Sequence, residues 1–242
     1  MQNKFLKALI TIAFFSVIAG GESLFADSKN ILYSQTFDSL QLEQIDISLT
    51  YENLKIQQIY GDELVIEIGS NNNKRLPEVK LEADQQDLVS CLKILSTVKR
   101  ARLGDNCTVY LYIPKDFLAK EISIKLISGN LQAQGLSAEN QIELNSISGR
   151  LDLDGCSSDF LKLSTVSGNL TLQNLAAAYF DISSVSGNLF VEVEKAFQAK
   201  SSITSISGKI QFYYKKNESP FTDDSPDLII SSISGKIESI AY

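Results

Sequence analysis

The chain has 242 residues, 44% of them hydrophobic and 21% charged, enough to bury a substantial core in one domain or two. Its formal charge is −7, from 22 basic against 29 acidic side chains, and no dense basic run occurs. That balance argues against nucleic acid as a partner, because phosphate binding rests on Lys/Arg clusters that release counterions.

The N-terminus opens with the basic stretch MQNKFLK and continues as ALITIAFFSVIAG, thirteen apolar or small residues. This is the length of a signal-peptide core and is short for a membrane span. Residues 1–26 are therefore expected to be a signal peptide cut after Gly21 or Ala26, with a retained N-terminal anchor as the alternative. The first cysteine is Cys91, too far along for a lipid-anchored N-terminus. The remainder is expected to be exported: periplasmic, cell-surface or secreted.

Residues 30–117 are β-rich but irregular. LQLEQIDISLTYENLKIQQIYGDELVIEIGS alternates apolar and polar residues as several strands do, with a turn at YGDE. NNNKRLPEVKLEADQQD reads as turn, strand, turn, and CTVYLYIPKD as a strand ended by Pro114, which cannot donate to a ladder. These strands are expected to lead into the next part and close its first coil, some in antiparallel pairs. Cys91 and Cys107 lie in strand-like runs joined by STVKRARLGDN, which looks like a hairpin connection. A Cys91–Cys107 disulfide is chemically open to an exported chain, though spacing alone does not establish it.

Residues 118–242 repeat one phrase: ISGNL, ISGRL, VSGNL, VSGNL, ISGKI, ISGKI. The glycines are Gly129, Gly149, Gly168, Gly187, Gly208 and Gly235, at steps of 20, 19, 19, 21 and 27. Aligned on them, apolar residues fall in columns. Two places before the glycine stand Ile127, Ile147, Val166, Val185, Ile206 and Ile233. Two after it stand Leu131, Leu151, Leu170, Leu189, Ile210 and Ile237, and five before it Ile124, Leu144, Leu163, Ile182, Ile203 and Ile230. Period-two alternation on both sides of a glycine predicts strand, corner, strand. Repeats of this size cannot bury their own apolar face alone, which predicts a parallel β-solenoid of about six coils of 19–21 residues. Like columns then stack about 4.8 Å apart, the apolar ones filling the tube. A β-sandwich is the alternative. Cys156 shares a column with Leu136 and Leu175 and reads as core filling. The insert YKKNESPFTDDSPD accounts for the long last step as a projecting loop.

VYLYIPKDFLAKEISIKLISGNLQAQ, followed by repeated SxSGxL, resembles the bacterial putative-adhesin domain family and is similar to the GIN head domain of putative autotransporter adhesins. The resemblance covers roughly residues 40–242. It implies an all-β solenoid at the cell surface or in the periplasm, and it supplies no catalytic residues. Some relatives act in envelope-stress signalling.

The leading expectation is a non-enzymatic binding or scaffolding module of the bacterial envelope, offering a flat face to an unidentified protein or glycan. Asn130, Arg150, Asn169, Asn188, Lys209 and Lys236 each follow the glycine and form the candidate binding stripe. The bland account of them is solvated polarity on a surface strand. The pairs Asn145-Ser146, Ser164-Thr165, Ser183-Ser184, Thr204-Ser205 and Ser231-Ser232 read as a hydroxyl-lined edge or as turn partners. An envelope-stress module is a second reading. A third is a polysaccharide-acting enzyme using Asp152 and Asp154, with Asp159 and Asp181 near them. The chain contains no histidine, and no cofactor is expected. Asp223, Asp224 and Asp227 offer oxygen ligands in one loop, but without calcium-loop spacing. The last segment, GKIESIAY, leaves an open strand edge at which end-to-end self-association or the docking of a partner is expected.

Overall fold

In the computed structural model, which describes residues 30–72, 75–83, 90–98, 105–193, 201–214 and 228–241, the chain forms one sixteen-stranded sheet with no α-helix among those residues. The repeats supply β8 (Ala119–Ser128), β9 (Leu131–Gln134), β10 (Ala138–Ser148), β11 (Leu151–Asp154), β12 (Ser157–Ser167), β13 (Leu170–Ser186), β14 (Leu189–Val193), β15 (Ser201–Tyr214) and β16 (Leu228–Ala241). Each repeat lies on its predecessor in parallel. Leu144 stands beside Ile124, Leu163 beside Leu144, Ile182 beside Leu163, Ile203 beside Ile182 and Ile230 beside Ile203. On the wall beyond the glycine, Leu131, Leu151, Leu170, Leu189, Ile210 and Ile237 are likewise consecutive partners. The result is a β-solenoid-like stack in which the repeat glycines queue in one file, and the described strands belong to one sheet.

Two kinds of corner turn the chain. At the first, Gly149, Gly168, Gly187 and Gly208 have φ between +118° and +139°. Six residues later Gly135, Gly155 and Asn174 take up the left-handed region, with φ of 69°, 75° and 53°. Asparagine substitutes for glycine there because its short side chain tolerates that conformation. Between corners, inward Leu, Ile, Val, Phe and Ala form a single continuous core that includes Cys156, Leu136 and Leu175.

The N-terminal strands are β1 (Ile31–Asp38), β2 (Gln44–Leu49), β3 (Asn53–Ile59), β4 (Glu63–Ser70), β5 (Glu78–Ala83), β6 (Ser90–Leu95) and β7 (Cys107–Pro114). Their order in space is not their order in the chain. β2 and β3 pair in parallel with β8 and β9, so this early segment is already a turn of the stack. β6 and β7 then lie on its other side, also in parallel. Among the described residues antiparallel pairing is confined to that end of the stack, β1 with β4, β4 with β7 and β5 with β6. The expected hairpin between the two cysteine-bearing strands is therefore corrected: β6 and β7 do not pair with each other but form different walls.

Glu52 heads the glycine file. Its backbone carbonyl occupies the place that a glycine carbonyl fills in later turns, 2.0 Å from where a Cβ on Gly129 would sit. Its side chain is fully buried. One carboxylate oxygen accepts from the backbone N–H groups of Thr50 (2.9 Å) and Tyr51 (3.0 Å), the other from the Ser96 hydroxyl (2.7 Å). A buried carboxylate holds only when its lone pairs are met in this way.

Candidate functional site

Each residue of the Ser-Gly-Asn corner binds the neighbouring turn. The serine hydroxyl donates back to the preceding turn: Ser148 to the Ile127 carbonyl (3.1 Å), Ser207 to Val185 (3.4 Å) and Ser234 to Ile206 (3.2 Å). The glycine lets the preceding glycine's carbonyl come close, since a Cβ on Gly187 would lie 1.8 Å from the Gly168 oxygen. The asparagine side-chain carbonyl accepts from the next turn's N–H. Asn53 receives Asn130 (3.0 Å), Asn130 receives Arg150 (2.9 Å), Asn169 receives Asn188 (3.1 Å) and Asn188 receives Lys209 (3.1 Å). The amide oxygens of the predicted stripe are thus engaged in holding the stack.

The cations of that stripe are also paired. Arg150 contacts Asp152 (2.7 Å), and Glu238 receives both Lys209 and Lys236 (2.6 Å each). Those two ammonium groups hold the Glu238 carboxyl down to about 2. Asn130, Arg150 and Asp152 line a polar cleft of about 950 Å³ with Asn53, Lys55, Asn106 and Tyr110, which the N-terminal turns contribute. Asp154 accepts from the Asn174 amide (2.6 Å) and Asp181 from the Ser202 hydroxyl (2.5 Å). Asp152 and Asp154 lie on the short wall, formed by the four-residue strands β9 and β11 and the start of β13, whereas Asp159 and Asp181 lie beyond the corner on the long wall of β8, β10, β12 and the rest of β13. The four carboxylates are therefore not brought together. Among the described residues, no group of three or more Asp, Glu, Cys or His side chains is arranged to hold a metal ion. Asp223, Asp224 and Asp227 lie outside the described residues, as do residues 1–26.

The apolar column before the glycine is inside out relative to expectation. Ile127, Ile147, Val166, Val185 and Ile206 are 44–52% exposed, and Ile233 is 81% exposed. They form an outward ridge rather than core. The reason is parity: this column is three places from the buried column at Ile124, Leu144 and Leu163, so along one strand the two must face opposite ways. The inward place beside the corner goes to hydroxyls instead, with Ser146, Thr165, Ser184 and Ser205 about 5% exposed. Ser205 returns its hydroxyl to the Ser207 carbonyl (2.9 Å), whereas the Thr165 and Ser184 hydroxyls have no partner among the described residues. The second polar column faces out, where the Ser164 and Ser183 hydroxyls meet at 2.8 Å. A groove of about 630 Å³ follows the ridge, floored by these small polar residues, with Lys125 the one charged residue among the described ones that line it.

The Cys91–Cys107 disulfide that the sequence left open is not formed, and all three cysteines are free thiols. Cys107 points into the core from β7, whereas Cys91 alternates with buried Ser90 and Leu92 and so faces out from β6. Burial pushes the Cys107 and Cys156 thiols up to about 12 and raises that of Cys91 as well.

The arrangement defines a class: a stacked-repeat β protein whose repeated Ser-Gly motif is architectural and whose outer walls present ordered side-chain files. The particular family follows from the sequence match. Residues 42–239 match the Toastrack DUF4097 model, and the chain belongs to that family. No functionally curated protein matches it. Similar solved structures include a putative adhesin from Bacteroides fragilis, at 16% identity and a TM-score of 0.46, covering 86% of this chain and 96% of that one. A putative cell adhesion protein from Clostridium sporogenes is 14% identical with a TM-score of 0.43, covering 87% and 98%. A putative lipid binding protein from Parabacteroides distasonis is 13% identical with a TM-score of 0.31, covering 86% and 95%. No helix of the described residues is long and apolar enough to cross a membrane.

Proposed function

We propose that this chain is a non-enzymatic, exported, adhesin-like binding or scaffolding module of the bacterial envelope, akin to the GIN head domain. In this reading each of the six Ser-Gly repeats is one coil of a solenoid, and the long wall is the contact face. The observation that carries it is the outward ridge of Ile127, Ile147, Val166, Val185, Ile206 and Ile233. Stacking about 4.8 Å apart gives a continuous apolar strip some 24 Å long. A contiguous apolar strip left in water is the mark of a surface that meets something else. The bordering hydroxyl and amide groups suit an extended polymer or protein partner that needs both apolar contact and hydrogen bonds.

The test is a binding screen against glycans and matrix proteins, with wild type beside the double variant Val166→Lys, Val185→Lys. Both positions are half in solvent, so the fold should tolerate the change. Binding by wild type that the double variant loses supports the reading. Binding that survives the substitutions, or turnover of a polysaccharide, would overturn it. Fractionation of cells tests export separately.

A further inference from the structure

The two ends of the stack differ. At the N-terminal end the outermost strands are β1, whose register is interrupted between Ile31 and Tyr33, and β5, six residues alternating Glu78, Lys80 and Glu82. A bulge on one and charges on the other are how natural sheets blunt an edge. At the opposite end lies β16, fourteen residues in unbroken register with β15 and with no second strand partner among the described residues. Here the core is open. Ile237 is 42% exposed, whereas its column mates Ile210, Leu189 and Leu170 are at most 1% exposed. A long, regular, apolar edge of this kind is a template for another strand.

We propose that a second copy of this chain covers that end, tail to tail, about a two-fold axis through the β16 corner. The corner makes a copy fit. Ser232 and Ile237 both follow the inward columns, one on each side of the glycine, as Ser205 and Ile210 do in the turn below. A two-fold axis along the corner's bisector swaps the two arms, so Ser232 of one copy faces Ile237 of the other. Residues 228–232 then run antiparallel to 241–237 of the second copy, with inward Ser232 opposite inward Ile237. The strand edges pair, and the two cores become one. Because the β1 and β5 end is blunted, the contact closes as a dimer and does not propagate into a fibre. This interface shares only Ile233 with the ridge of the proposed binding face, lies beyond the groove that ends at Ile206, and stands whether or not that function holds.

The register predicts which charges matter. Ile233 faces Lys236 of the partner subunit, on the outer side of the joint. Sedimentation and small-angle X-ray scattering of the purified full chain over a wide concentration range should find a dimer of about twice the monomer length. Ile237→Glu, which buries an unpaired carboxylate in the joint, should weaken dimerisation about a hundred-fold or more. Ile233→Lys should weaken it by like-charge contact and Ile233→Glu should not, while Leu81→Glu at the far end should change nothing. Circular dichroism confirms that each variant is folded, and Ile233 is so exposed that its pair decides the matter if Ile237→Glu fails to fold. A monomer at all concentrations, a side-by-side dimer, or equal responses to Lys and Glu at position 233 would overturn the proposal.

Discussion

Replacing Gly187 with alanine tests the stacking of the corners most directly. The new methyl would sit 1.8 Å from the Gly168 carbonyl oxygen, where even the tightest contacts need 3.0 Å, so the two turns must separate by about 1.2 Å. Beside this contact the ladder bonds are Gly168 N–H to the Ser186 carbonyl (3.2 Å) and Leu170 N–H to the Asn188 carbonyl (2.9 Å). An opening of that size stretches both beyond 4 Å and breaks them, at about 1 kcal/mol each. The φ of +130° adds strain of about 1–3 kcal/mol for any residue bearing a Cβ. The total is about 3–5 kcal/mol. Gly61→Ala is the matched control, with φ of +123° but nothing within 4 Å of the added methyl, so it should cost only the strain. Urea denaturation of the two variants beside wild type measures the difference, expected to be about 2 kcal/mol. Equal destabilisation by both would refute the idea that carbonyl-to-glycine contact sets the spacing of the turns.

Four further outcomes are expected. Thr165→Val removes a buried hydroxyl without a partner and should stabilise the fold by about 1 kcal/mol, or roughly 2–4 °C in Tm by calorimetry. Asn188→Ala deletes the acceptor for the Lys209 N–H and should lose about 1 kcal/mol in the same assay, whereas Asn188→Asp, which keeps the oxygen, should lose less. The Glu238 carboxyl is depressed to about 2, so its contribution is complete above its unfolded value near 4.5 and disappears as pH falls through about 2. An NMR titration of that side chain should show the low midpoint in wild type and a rise toward 4.5 when Lys209 and Lys236 are both changed to Met. Thiol labelling of the native protein should modify Cys91 alone, with Cys107 and Cys156 reacting only after unfolding.

The repeat was legible because a solenoid writes its geometry into the sequence once per turn. Gly129 to Gly235, the leucine column after them and Cys156 in its leucine slot all occupy the expected places. Two turns were hidden. LTYENLKI is the same corner as LISGNLQA, with Leu54 in the column of Leu131, but Tyr51 and Glu52 replace Ser-Gly and conceal the likeness. Its clue was the Asn-Leu pair, Asn53-Leu54 against Asn130-Leu131. That β6 and β7 would lie outside β2 and β3 left no trace, since parallel pairing of distant segments carries no local signal.

The sequence by itself determined the period, the corners and the strands, because backbone conformation at a glycine and the alternation of a strand are local properties. Which apolar column is core and which is surface was decided only by the tertiary stack. Columns three residues apart must face opposite ways, yet Ile and Val are equally hydrophobic in both. The turn packs its larger aliphatic residues inward along the wall, and at its corner the inward place holds Leu49 and Leu126 in two turns and small hydroxyl side chains from Ser146 onward. This packing alone turns Ile127, Ile147, Val166, Val185, Ile206 and Ile233 out into water.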